Sequence, residues 1–143
     1  LKKWRNDVLS GWDKKFITYE EFGIKCDRLC EEVNGYSFSC IYGPKLGAWP
    51  IVAHVARHLN IPVYDNLCLV MDDDHLLLVD DVCDTGKTFT SMIRVIDCAF
   101  VSACIYYKPW SKYKPDVYVE QTQDWLVWPW ETADTEINRS FPG

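Results

Sequence analysis

No run of about 18 apolar residues occurs anywhere in the chain, so the sequence holds no membrane-spanning helix. No CxxC pair occurs among its seven cysteines, which removes the usual spacing of a zinc site. A basic excess is also missing: 15 Lys and Arg stand against 21 Asp and Glu, a formal net charge of −6. A protein that lives on contacts to a phosphate backbone carries the opposite balance, so nucleic-acid binding is a poor first reading. The opening LKKWRNDVLSGWDKK has no apolar stretch of the kind a secretory leader needs. Internal repeats and low-complexity tracts are absent too, and the composition is neither disordered nor collagen-like.

What is present is an ordinary globular mixture. Apolar residues make up 48% and charged residues 25% of 143, enough for one domain with a real core. Aromatic residues reach 15%, with seven Trp, and an aromatic-rich surface points to subunit contacts and a homo-oligomer. An odd number of cysteines without a leader implies free thiols in a reducing, cytoplasmic compartment. Most of them lie in apolar runs, where a thiol acts as a small hydrophobe, whereas Cys83 has polar neighbours. The acidic residues gather in two clusters, Asp72-Asp73-Asp74 and Asp80-Asp81, which suit a hard cation such as Mg²⁺ or a solvated turn.

Periodicity divides the chain into alternating elements. Thr18 can cap a helix with Glu21 three residues on, and Phe22, Cys26, Leu29, Cys30 and Val33 make its apolar stripe up to Asn34-Gly35. Ser37 to Tyr42 reads as a strand, followed by the loop GPKLGAWP and a helix from Pro50 to Leu59 closed by Asn60. The apolar runs 67–71 and 76–79, split by DDDH, read as two strands of a tight hairpin. A helix over 87–96, a strand over 99–107 and short strands in a Trp- and Pro-rich remainder follow. The expected fold is α/β: a mostly parallel sheet flanked by helices, in a single domain over 1–143 with a core at about 17–107. In such sheets ligands bind at the carboxyl ends of strands, which singles out GPKLG and DDVCDTGKT.

The segment LLLVDDVCDTGKT carries the most chemistry. An apolar strand ends in the carboxylates of Asp80 and Asp81, and a loop with Asp84, Thr85, Gly86, Lys87 and Thr88 opens a helix. Backbone N–H groups at such a start, with threonine hydroxyls beside them, cradle phosphate, and glycine lets the backbone approach closely. The carboxylates above can accept hydrogen bonds from sugar hydroxyls, so the set reads as a sugar-phosphate site. The GKT ending invites comparison with the Walker A loop, but Asp81 stands where that motif needs its first glycine.

LLLVDDVCDTGKT resembles the phosphoribosyl pyrophosphate motif of the type I phosphoribosyltransferases. ITYEEFGIKCDRLCEEV, CIYGPKLGAWPIVAHVARHL and the tail KPWSKYKPDVYVEQTQDWLVWPWE are similar to segments of the xanthine–guanine and related 6-oxopurine enzymes, so the resemblance runs over about 17–131. It implies transfer of a phosphoribosyl group from phosphoribosyl pyrophosphate to a purine base, giving a nucleoside monophosphate, with Mg²⁺. It makes 108–131 a small C-terminal base-recognition region. By the same resemblance Asp80 and Asp81 meet the ribose hydroxyls, 84–88 hold the 5′-phosphate, and Asp84 handles the proton at purine N7. Lys108 would read the purine O6, Trp125 would stack on the ring, and the Leu126 backbone would meet the base edge. Glu131 would join Asp80 and Asp81 near the magnesium and pyrophosphate. An Asp at position 84 favours a 6-oxopurine, because adenine and orotate enzymes usually carry Ala or Thr there.

Two departures from the family pattern stand out. The pyrophosphate loop is Pro44-Lys45-Leu46-Gly47, with Leu46 at a usual glycine position. The long flexible loop of the family is replaced by Asp72-Asp73-Asp74-His75, too short to cover a nucleotide. The alternative reading is a nucleotide- or phosphoribosyl-pyrophosphate-binding regulatory protein on the same fold.

Overall fold

A computed structural model of the chain describes residues 14–44 and 46–131. Thr18 begins the first helix, α1 (Tyr19–Val33), and its hydroxyl accepts the Glu21 N–H at 3.0 Å. This satisfies one of the donors that every helix start leaves open. Cys26, Leu29, Cys30 and Val33 form the buried stripe of α1. The second helix, α2 (Trp49–Leu59), has Pro50 in its first turn and ends at Asn60 in the left-handed conformation, φ 55°. A short third helix, α3 (Lys87–Ile93), stops three residues before the expected end.

Four strands form the main sheet: β2 (Cys40–Tyr42), β3 (His75–Cys83), β4 (Ala99–Tyr107) and β5 (Val117–Gln121). Their spatial order is β2-β3-β4-β5, and every pairing is parallel. Along β3 the side chains alternate between two cores. Leu77 and Val79 join a cluster with α1 and α2, whereas Leu76 and Leu78 join one with Phe89 and Met92 of α3. Both faces are therefore buried, which is why this strand reads as an unbroken apolar run. Asp80 and Asp81 lie within β3 and not beyond its end, because β4 pairs with it as far as Cys83.

A second, two-stranded sheet joins one of the short strands expected in the tail to a strand that the sequence pattern does not mark. β1 (Lys14–Phe16) pairs in parallel with β6 (Trp125–Val127), so the earliest described residues meet the tail. The tie is reinforced where Glu120 on β5 accepts Lys25 of α1 at 2.7 Å and Lys15 of β1 at 3.4 Å. The stretch is too short and too polar on one side for the apolar pattern to have marked it.

The hairpin expected between 67–71 and 76–79 does not form. Leu67–Leu69 is a single 3₁₀ turn capped by the Asn66 side chain, and Leu67 and Val70 pack against the second core. An apolar run too short for a helix and without a strand partner has this outcome open to it. Asp74 accepts hydrogen bonds from the Met71 N–H and the Ser39 hydroxyl, both at 2.8 Å, which closes the turn before β3. These two donors hold its carboxyl below the usual aspartate range. The DDDH stretch thus sits at the amino end of β3. His75 faces the Ser37 carbonyl and the Phe38 ring there, eight residues along the strand from Cys83. The first expected strand is also shorter, beginning at Cys40.

Five of the seven cysteines are buried, Cys83 among them. It is 2% exposed, with its sulfur 3.3 Å from the Ser111 hydroxyl. Burial pushes the thiols of Cys26 up to about 12 and of Cys30 and Cys83 up to about 11, so none is a thiolate near neutrality. Cys68 alone is exposed. A thiol titration of the native protein at mild alkaline pH is expected to show one fast group, and all seven only after denaturation. Several fast thiols in the native state would mean that the two cores are open.

Gly86 precedes α3 with φ +91°, and a Cβ there would lie 2.8 Å from the Tyr113 backbone nitrogen. Both the left-handed backbone and the close approach require glycine. Gly86→Ala is expected to destabilise the protein by roughly 1–3 kcal/mol in urea unfolding. An unchanged midpoint would show that the 84–88 and 111–113 loops are not packed as described.

Candidate functional site

The site follows from where the sheet changes direction. After β2 the chain passes through α2 and returns to the outer side of β2, where Val63 bridges Ile41 in parallel. The next strand, β3, lies on the inner side of β2. The loops after β2 and β3 therefore leave the sheet in opposite directions, and a crevice opens at the carboxyl ends of the two strands. The register makes it deeper. Tyr42, the last residue of β2, pairs with Leu78, so β3 runs on from Val79 to Cys83 without a β2 partner.

Pro44, Leu46 and Gly47 leave β2 into this space; Lys45 lies outside the described residues. Leu46 is 73% exposed. Gly47 stands against β3: a Cβ built on it would lie 2.9 Å from Asp81 Oδ2. Any larger residue would push into that carboxylate, so glycine is what lets the loop approach the acidic pair here. Asp80 is 1% and Asp81 8% exposed. Asp80 Oδ1 accepts the Asp81 N–H and Asp81 Oδ1 accepts the Val82 N–H, both at 2.8 Å. Each carboxylate is thereby oriented by its own strand.

From Cys83 the chain enters the loop that holds Asp84, Thr85, Gly86, Lys87 and Thr88. This loop is stitched to the one that follows β4. The Lys108 N–H donates to the Cys83 carbonyl at 3.0 Å and the Lys112 N–H to the Thr85 carbonyl at 3.1 Å. The Trp110 indole donates to Asp84 Oδ1 at 2.8 Å. Below them Tyr113 stacks on Phe89 of α3, with 5.4 Å between centroids, and its hydroxyl meets Ser102 Oγ at 2.8 Å. Within the loop the Lys87 N–H donates to Thr85 Oγ1 at 3.3 Å, and the Thr90 hydroxyl returns to the Gly86 carbonyl at 2.8 Å.

Lys108 is only 5% exposed, which is rare for lysine and requires partners. Its ammonium donates to the Asp124 carbonyl and lies 5.2 Å from the centroid of the Trp110 ring. Asp124 immediately precedes β6, so Lys108 stands beside the strand that carries Trp125 and Leu126. Trp125 is half-buried at the start of that strand, and Leu126 is buried opposite Lys15. One chain of contacts therefore runs Asp84, Trp110, Lys108, Asp124, and it joins the loop after β3 to the tail. A second contact, Gly47 to Asp81, joins the loop after β2 to β3.

Glu131 does not join the acidic pair. Its Oε1 accepts the Trp128 N–H at 2.9 Å, closing the turn after β6. Among the described residues no group of three or more His, Cys, Asp or Glu side chains converges as a metal cage. Asp80 and Asp81 lie side by side in β3, and Glu131 sits in the turn that follows β6. Trp110, which no motif in the sequence marks as a site residue, bonds directly to Asp84. The sequence signal was its position two residues after Lys108, in the loop that faces the phosphate motif. Of the other tryptophans, Trp128 is core and stacks on Trp130 at 5.5 Å, Trp49 is exposed, and Trp4 and Trp12 lie outside the described residues.

No family model matches the chain. Over 64 residues it is 42% identical to the xanthine-guanine phosphoribosyltransferase of Gluconobacter oxydans, covering 43% of this chain and 38% of that protein. Over 100 residues it is 31% identical to the xanthine-guanine phosphoribosyltransferase of Desulfotalea psychrophila, covering 56% of this chain and 62% of that protein. The chain thus spans 38% and 62% of the length of these two curated relatives. Among solved structures, the purine phosphoribosyltransferase from Pyrococcus horikoshii is similar with a TM-score of 0.74 and 27% identity, over 84% of this chain and 95% of that one. A parallel sheet, an acidic pair and a glycine-turn loop thus meet at one switch point, in a chain that is similar to xanthine-guanine and purine phosphoribosyltransferases.

Proposed function

We propose that the protein transfers the phosphoribosyl group of phosphoribosyl pyrophosphate to N9 of a 6-oxopurine base. The bond from sugar C1 to pyrophosphate breaks, and its electron pair leaves with pyrophosphate. N9 forms the new bond to C1, and the proton on N7 passes to the Asp84 carboxylate. Charge on the sugar rises as the leaving group departs, so fixed carboxylates near the ribose are favourable in the transition state. Asp80 and Asp81 hold the ribose hydroxyls, the 84–88 loop holds the 5′-phosphate, and 44–47 meet the pyrophosphate. Lys108 donates to the purine O6, Trp125 stacks on the ring and the Leu126 backbone meets the base edge.

The observation that carries the reading is the contact chain from Asp84 through Trp110 to Lys108. A 6-oxopurine presents N7 and O6 side by side on one edge. A carboxylate at the N–H edge of an indole and an ammonium over the face of the same ring suit that pair, whereas an adenine amino group would meet a second donor in Lys108.

Asp80 and Asp81 also fit magnesium in the way that ion prefers: one or two carboxylates, with water and substrate phosphates completing its shell. When bound, magnesium neutralises charge on the departing pyrophosphate. The aspartates would hold it, and each is itself oriented by a backbone N–H. The single-domain arrangement over 1–143, self-association through exposed aromatic residues, and a reducing, cytoplasmic setting for the free thiols belong to the same reading.

The experiment is product analysis with phosphoribosyl pyrophosphate, Mg²⁺ and each of xanthine, guanine, hypoxanthine, adenine and orotate. Nucleoside monophosphate is expected from the 6-oxopurines only. Asp84→Asn is expected to lower turnover about 10²–10⁴-fold while nucleotide affinity changes little. Transfer to adenine or orotate in preference would overturn the base assignment. Tight nucleotide binding with no transfer to any base would make the protein a nucleotide-binding regulator instead.

A further inference from the structure

Trp110 sits where hydrophobic burial does not explain it, being 42% exposed. Its ring nevertheless makes two directed contacts: the indole N–H to Asp84 Oδ1 at 2.8 Å, and the ring face 5.2 Å from Lys108 Nζ. The backbone on either side is pinned. Lys108 and Lys112 donate their N–H groups to the Cys83 and Thr85 carbonyls, and the Ser111 N–H closes the turn on the Lys108 carbonyl at 3.0 Å. Trp110 therefore projects from the tip of a turn that is bonded on both sides to the segment carrying Asp84. The two loops cannot shift independently without breaking those bonds.

Asp84 has the opposite problem. It is exposed, on a loop, one residue past the end of β3. An exposed aspartate samples several rotamers, yet a group that accepts a proton must stand within hydrogen-bond reach of it at a suitable angle. An indole N–H is a donor and never an acceptor, so it fixes one carboxylate oxygen and exchanges no proton itself. We infer that Trp110 is a positioning residue: it holds Asp84 by Oδ1 so that Oδ2 meets the N7 proton of the purine. The ring set against Lys108 keeps the base-reading ammonium in the same frame. The inference rests on the proton-accepting role proposed for Asp84.

Trp110→Phe keeps an aromatic ring beside Lys108 and removes the N–H. The expected result is a fall in kcat of roughly 10–100-fold, with KM for phosphoribosyl pyrophosphate within about twofold and the melting temperature unchanged. In an Asp84→Asn background the same substitution is expected to cost nothing further, because the group it positions is already lost. A merely structural role would lower activity by the same factor in both backgrounds. Such additivity, or an unchanged kcat in Trp110→Phe, overturns the inference. The failure of the parent reading looks different: Asp84→Asn alone then retains kcat, and the positioning role falls with it. A readout independent of turnover is the indole ¹H–¹⁵N resonance of Trp110, identified by its loss in Trp110→Phe. It is expected to move in Asp84→Asn, and an unmoved resonance overturns the contact itself.

Discussion

The register between β2 and β3 is the constraint from which the site follows. Because β2 stops at Tyr42 opposite Leu78, the last five residues of β3 have a strand on one side only. Their other side faces the loop that leaves β2. Two aspartates can occupy buried positions there because each is fixed by a neighbouring backbone N–H and because Gly47 leaves them room. A β2 two or three residues longer would fill that space with main chain. The same stretch stays paired with β4 as far as Cys83, which brings the loop after β4 level with the loop after β3.

That second alignment builds the other half of the site. Main-chain hydrogen bonds from Lys108 and Lys112 to Cys83 and Thr85 continue the strand pairing past its formal end. A loop held in this way can present polar groups with little freedom. The cost lies in polar side chains that must be buried: Lys108, at 5% exposure, and Ser102, whose hydroxyl meets both Asp116 and Tyr113. Their hydrogen bonds offset a desolvation penalty of order 1–3 kcal/mol per group. The tail is equally dependent on distant partners, since β6 pairs with β1 and Glu120 gathers lysines from β1 and α1.

Local signals were legible wherever the physics is local. The Thr18 cap, the Asn60 terminator and the helical stripe of α1 act within a few residues, and each element stands where those residues put it. The strand over 99–107 was equally plain, since burial on both faces leaves a run of apolar residues. The run LCLVM misled because its apolar residues are buried by packing on the second core and not by strand pairing. Periodicity cannot tell those two uses of a short apolar run apart. With that hairpin gone, Asp72 to His75 form a turn at the amino end of β3 and belong to the far end of the sheet.

By itself the sequence determined the class of fold, the parallel sheet, and which loops stand at the carboxyl ends of its strands, because helix caps, apolar runs and the acidic pair followed by a glycine turn are written in neighbouring residues. Only the tertiary structure decided what stands beside what. That Gly47 abuts Asp81, that Glu131 is taken up by the Trp128 turn, and that β1 completes the tail all join residues far apart in the chain. The same holds for Trp110: nothing in its neighbours names Asp84, 26 residues earlier, as its partner. Such pairs are set by register and by which backbone N–H groups lack a strand partner, and these quantities exist only once the sheet has formed.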